Sequence, residues 1–168
     1  MGKVAFALPV PNQKIIGGYK VAYEYANYLA QKGMDVSIVY NVHDGENSKG
    51  LPRFVVYSLR WMTGIFGPKW FKLSNEIHRL VVPHFTDKTF LKYDVVIATA
   101  TETAEYVNKA TCKKYYFVQD FEDWGRSEEA VLDTYRMNMT KITISKWLKN
   151  IIDDVSDTKA IYIPNGID

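Results

Sequence analysis

One cysteine in 168 residues leaves no partner for an internal disulfide, and Cys112 has no Cys or His beside it at ligand spacing. A disulfide scaffold and a structural zinc site are therefore both excluded, and a reducing cytoplasm is the expected compartment. The net charge is only +2 and no Lys/Arg run or RNA-binding signature occurs, so nucleic acid is not an expected partner. No stretch approaches the roughly twenty apolar residues of a membrane span. The start, Met1-Gly2-Lys3-Val4, enters a short strand without the longer apolar segment of a signal peptide. Internal repeats and low-complexity tracts are missing too; only Asn41 to Gly50 reads as a polar, flexible interruption.

What is present is enough apolar residue, 47%, to bury one core of ordinary size. Short β-rich runs alternate with helical patterns along the whole chain. Val4–Leu8, Asp35–Tyr40, Phe54–Tyr57, Val95–Ala98, Tyr115–Val118, Ile142–Ile144 and Ile161–Ile163 are expected strands, each too continuously apolar for an exposed sheet. Helices are expected over Tyr19–Lys32, Trp70–Val82, Thr101–Lys109, Glu128–Met139 and Lys146–Val155, the last capped by Ser145 and burying Trp147, Leu148, Ile151 and Ile152. Strands joined by crossover helices imply a Rossmann-like, three-layer α/β/α domain with a mainly parallel sheet of about seven strands.

Such sheets bind ligands at the carboxyl ends of their strands, which makes the polar residues after each strand the site candidates. Gly17-Gly18, between the first strand and its helix, suits a phosphate: glycine admits close backbone approach and positive φ, and the helix start offers N–H groups and a positive dipole. The plainer reading, a tight strand-to-helix turn, stands beside it. Asp120, just after the fifth strand and beside Gln119, could orient a hydroxyl or act as a base; structuring its own turn is the alternative. Glu122 and Asp123 read on their own as solvated charges, and a metal held by Asp120, Glu122 and Asp123 would need more oxygen ligands. Thr99 and Thr101 follow the fourth strand, with helix capping by Thr101 as the bland role. His43 lies at a strand's carboxyl end; His78 and His84 read as structural.

These landmarks together carry a resemblance. The opening strand, Gly17-Gly18 and the helix ending Leu29-Ala30-Gln31-Lys32-Gly33-Met34-Asp35-Val36 are similar to the start of retaining glycosyltransferases of the GT-B fold, family 4 type. Ile142-Thr143-Ile144-Ser145 and Ile163-Pro164-Asn165-Gly166-Ile167-Asp168 resemble the segments that close their N-terminal domain. Tyr116-Phe117-Val118-Gln119-Asp120-Phe121-Glu122 is similar to a stretch of bacterial rhamnosyltransferase-like enzymes of surface polysaccharide synthesis. The resemblance implies that residues 1–168 form one Rossmann-like, acceptor-binding domain ending at the interdomain linker, without the C-terminal donor-binding domain and inactive alone. It further implies a nucleotide-sugar donor, a glycan or lipid-linked acceptor, retention of configuration, and no metal or other cofactor. Gly17, Gly18 and Tyr19 would then face the donor diphosphate. Thr99, Thr101, Gln119, Asp120, Glu122 and His43 would face the acceptor, with Asp120 the catalytic candidate.

Between Leu59 and Leu73 the chain mixes aromatics with cations. Trp61, Phe66, Lys69, Trp70 and Lys72 are expected at an acceptor entrance or on the headgroups of an anionic membrane, as a peripheral contact; packing of the aromatics over the sheet is the competing reading. Two rival functions stay open. A non-catalytic nucleotide- or glycan-binding module fits the same crevice, whereas a receiver or flavodoxin-like domain lacks its carboxylates or its Ser/Thr-rich loop at Pro9–Lys14.

Overall fold

The structure, a computed structural model, describes residues 2–42 and 51–166. In chain order the elements are β1 (Lys3–Leu8), α1 (Gly17–Gln31), β2 (Asp35–Asn41), α2 (Arg53–Phe66), β3 (His78–Val82) and β4 (Val95–Ala98). They continue through α3 (Thr101–Val107), β5 (Lys113–Val118), α4 (Glu128–Arg136), β6 (Thr140–Thr143), α5 (Lys146–Val155) and β7 (Ile161–Tyr162). The seven strands form one sheet in the order β3-β2-β1-β4-β5-β6-β7, every neighbouring pair parallel. The domain is a Rossmann-like three-layer α/β structure.

Period-two alternation assigns each strand residue to a face. In β1, Val4, Phe6 and Leu8 join Val36, Ile38 and Tyr40 of β2 under α1, which contributes Ala22, Tyr23, Ala26 and Ala30. The opposite residues Ala5 and Ala7 join Val96 and Ala98 of β4 under α3, α4 and α5, where Val107, Val131, Tyr135, Leu148 and Ile152 pack. Three alanines let α1 lie close to the sheet, and Tyr23 reaches past them to place its hydroxyl 2.7 Å from that of Tyr40. With α1 and α2 serving one side of the strand order and α3 to α5 the other, the direction of winding reverses between β1 and β4. That reversal opens a crevice at their carboxyl ends.

Four expectations are corrected. Phe54–Tyr57 is not a strand but the first turns of α2; its β-branched and aromatic residues favour strands only when a pleated neighbour receives them. The helix expected over Trp70–Val82 is a turn-rich segment followed by β3. Trp70, Leu73 and Ile77 imitate a helical period because a loop anchors them one after another in the same apolar layer. Gly17 and Gly18 open α1 rather than preceding it, and positive φ among the described glycines belongs to Gly33, Gly67 and Gly125. Trp147, expected inside, is 58% exposed, while Leu148 and Ile152 of the same helix are buried.

Candidate functional site

The crevice at the winding reversal is a cleft of about 690 Å³. Gly17, Gly18 and Tyr19 line one side; Thr99, Thr101, Gln119, Asp120 and Glu122 line the other, so eight of the candidate residues come together. His43 lies outside the described residues. Ser145 caps α5, accepting from the Leu148 N–H at 3.2 Å, and its neighbour Ile144 is the residue that reaches the cleft.

No side chain caps the start of α1. Ile16 occupies the N-cap without a side-chain hydrogen bond, and no acidic residue sits in the first turn, so no carboxylate of α1's own first turn offsets the helix dipole there. A Cβ added at Gly17 would meet no atom within 4 Å, whereas one at Gly18 would lie 3.3 Å from Gln119 Nε2. Gln119 uses that amide to donate to the Gly18 carbonyl at 3.1 Å, which ties the end of β5 to the first turn of α1. Glycine at 18 therefore serves this close approach. Tyr19 lines the cleft with its hydroxyl already committed: it donates to the Val10 carbonyl at 2.7 Å, and burial pushes the phenol well above its ordinary range.

The start of α3 is the reverse case, because the chain supplies its own anion. Glu122 Oε2 accepts the Thr101 N–H at 2.7 Å. Thr103 Oγ1 accepts from the N–H groups of Thr99 and Ala100 and donates to the Ala100 carbonyl. Glu122 is thus no solvated charge but the cap of α3. Desolvation by burial raises its pKa above 4.5, opposed by hydrogen bonds from Thr101 and reinforced by Glu102 and Asp120. Thr101 stands at the first helical position and Ala100 at the N-cap, so the capping role expected of Thr101 passes to Glu122 and Thr103. Thr99 is buried and its hydroxyl donates to the Ala7 carbonyl at 2.9 Å, bracing β4 against β1. Exposed Asp120 uses Oδ1 to accept from the Phe121 N–H at 2.9 Å, a bond within its own turn.

The cleft also holds residues that the sequence did not single out. Lys20, Trp124, Arg126 and Asn165 line it, and Glu102, at the end of the polar run after the fourth strand, joins them; Arg126 pairs with Glu105 at 2.7 Å. Asn165 belongs to the Pro-Asn-Gly segment, which was legible as a motif, and Trp124-Gly125 closes the acidic run after β5, the turn signal that could have flagged it. Charge across the cleft is unequal: Lys20 stands on the α1 side, while Glu102, Asp120 and Glu122 gather opposite it with Arg126. Among the described residues no three His, Cys, Asp or Glu side chains gather as a metal site.

The aromatic and basic stretch divides. Trp70 packs inward against Tyr23 and Phe71, their ring centroids 5.9 and 5.8 Å away, so it is not part of an exposed surface. Arg60 donates to the Val42 carbonyl at 2.9 Å. By contrast Trp61 and Phe66 are 46% and 78% exposed, joined by Phe54, Leu59 and Met62, and Lys69 and Lys72 are exposed beside them. No helix among the described residues is long and apolar enough to cross a membrane. Comparison with known protein families and with curated proteins finds no match to this chain.

Proposed function

We propose that the chain is the acceptor-side domain of a GT-B-type glycosyltransferase that moves a sugar from a nucleotide-diphosphate donor. The observation that supports this best is the contrast between two helix starts in one cleft: α1 is uncapped and reached through glycine, whereas α3 is closed by Glu122. A departing diphosphate gathers negative charge as the glycosyl bond breaks, and preorganised N–H donors beside a cationic side chain stabilise that charge. Gly17, Gly18 and Lys20 offer them. Across the cleft the Asp120 carboxylate would accept from an incoming hydroxyl, a role its position in the lining supports.

Uridine diphosphate titrated into the labelled chain should shift the Gly17 and Gly18 amide resonances at millimolar concentration, and the chain alone should not transfer sugar. Turnover near 1 per second, ordinary for an enzyme, would defeat the acceptor-side reading of this domain. Silence at both glycines would remove the diphosphate role.

A lipid-linked acceptor at an anionic cytoplasmic membrane surface accounts for the face of α2. Phe54, Leu59, Trp61, Met62 and Phe66 fall within one half of the helix circumference, and no Asp or Glu occurs between Leu51 and Asn75. Gln13 donates to the Gly67 carbonyl and accepts from the Lys69 N–H, which brings the end of α2 to the loop bearing Ile15 and Ile16 at the cleft mouth. Vesicles with anionic lipid should sediment the protein at low salt and neutral ones should not, with Lys69→Glu plus Lys72→Glu weakening the binding. Equal binding by the double variant would refute the electrostatic part, and no binding to either vesicle would refute the surface.

A further inference from the structure

Trp124 exposes 77% of its surface and lines the cleft, which makes it one of the largest apolar side chains that the domain leaves in water. An indole so placed forgoes the burial that most tryptophans obtain and leaves a large apolar face open to a ligand in the cleft. The turn that carries it is held on both sides. Phe121 packs edge-on against Tyr135 and Trp147 at centroid distances of 6.3 and 6.4 Å. The Asp123 N–H donates to the Phe121 carbonyl and the Arg126 N–H to the Asp123 carbonyl, while Gly125, at φ +79°, provides the left-handed step. Arg126 then locks the far side onto Glu105 at 2.7 Å. The backbone that displays the indole is therefore braced on both sides.

What covers it follows from the neighbours. Glu102, Asp120 and Glu122 share this side of the cleft with Arg126, whose charge is engaged by Glu105 at 2.7 Å, so the balance is negative and an anionic group such as a phosphate or a uronic acid is directed to the α1 side. A neutral ring edged with hydroxyl groups meets both features: its C–H face lies on the indole, and its hydroxyls donate to carboxylate oxygen. We propose that Trp124 is the stacking platform for an uncharged sugar ring of the acceptor, with Asp120 as the hydroxyl acceptor beside it. This rests on the sugar-transfer reading of the cleft and adds the class of acceptor: the residue seated at Trp124 is neutral.

The test uses the chain labelled with nitrogen-15 and the methyl glycosides of rhamnose, glucose, galactose and mannose as neutral probes, with methyl glucuronide as the charged one and uridine diphosphate as the probe of the opposite side. At least one neutral glycoside is expected to shift the Trp124 indole N–H resonance, identified by its loss in Trp124→Phe. Trp124→Ala should weaken that glycoside about tenfold, and Trp124→Phe should restore most of the loss. Methyl glucuronide should bind several-fold more weakly than methyl glucoside. Because Trp124 is exposed, the thermal midpoint of each variant should match the parent and certify the fold. Unchanged glycoside affinity in Trp124→Ala overturns the platform while leaving the cleft reading intact. If uridine diphosphate moves Gly17 and Gly18 but no neutral glycoside moves Trp124, the platform fails alone. If neither probe is felt, both readings fall, and equal binding of glucuronide and glucoside overturns the neutral-acceptor assignment.

Discussion

Gly64→Val is expected to destabilise the domain by about 3 kcal/mol, the upper part of the range for overpacked sites and a large share of an ordinary domain's 5–15 kcal/mol. Gly64 is the buried residue through which α2 rests on the sheet. A Cβ at that position would stand 2.4 Å from Val81 Cγ2, 3.1 Å from Pro11 Cγ and 3.3 Å from Tyr40 Cδ2. The neighbours belong to β3, β2 and the loop after β1, so none can yield without disturbing another element. Gly64→Ala gains about 1 kcal/mol of helix propensity, and its smaller side chain meets the same Val81 methyl, so its net loss should be smaller than that of valine. Urea denaturation measures both, with Gly17→Ala as the control because its Cβ enters open space. A Gly64→Val midpoint equal to the parent's would show that α2 does not need this contact.

Glu122 gives the second large effect, and its size depends on pH. Glu122→Leu deletes the acceptor of the Thr101 N–H and should cost about 2 kcal/mol, the penalty of an unsatisfied buried donor. Glu122→Gln keeps an oxygen for that bond and should cost far less. Because burial raises the Glu122 pKa above 4.5, the folded state binds its proton more tightly than the unfolded state does. The carboxyl group's contribution is therefore greatest below pH 4.5 and declines as pH rises through the raised value. Glu122→Gln has no proton to lose there, so its stability relative to the parent should improve from pH 4 to neutrality. Parallel urea midpoints for the two proteins across that interval would contradict the desolvation assigned to Glu122.

The sheet was legible wherever a short apolar run was bounded by turn residues, as in Lys3–Leu8, Asp35–Asn41, Val95–Ala98 and Lys113–Val118. Between residues 53 and 82 local pattern and tertiary demand disagree. Phe54-Val55-Val56-Tyr57 has strand chemistry, yet Gly64 gives the segment a flat helical face that fits β2 and β3, a fact held by residues up to some fifty positions away. The count of seven strands survived because His78–Val82 fills the place assigned to Phe54–Tyr57. The cleft was legible because the parallel order carries every post-strand loop to one end of the sheet. Individual roles were not: Thr99, Tyr19 and Glu122 have their polar atoms engaged by Ala7, Val10 and Thr101, partners set by the packing of distant elements.

The interior place of β1, between β2 and β4, has a consequence for synthesis. Its first partner, β2, follows within a few tens of residues, but the Lys3 N–H meets Asp94 and the Ala7 carbonyl meets Thr99 only after about ninety more residues have been made. At translation rates of roughly 5–20 residues per second that interval is on the order of five to twenty seconds. For that time the nascent chain carries a strand with one ladder edge open and a layer of small apolar residues uncovered. A binding factor at the ribosome exit would have its longest opportunity there, before β4 covers that edge.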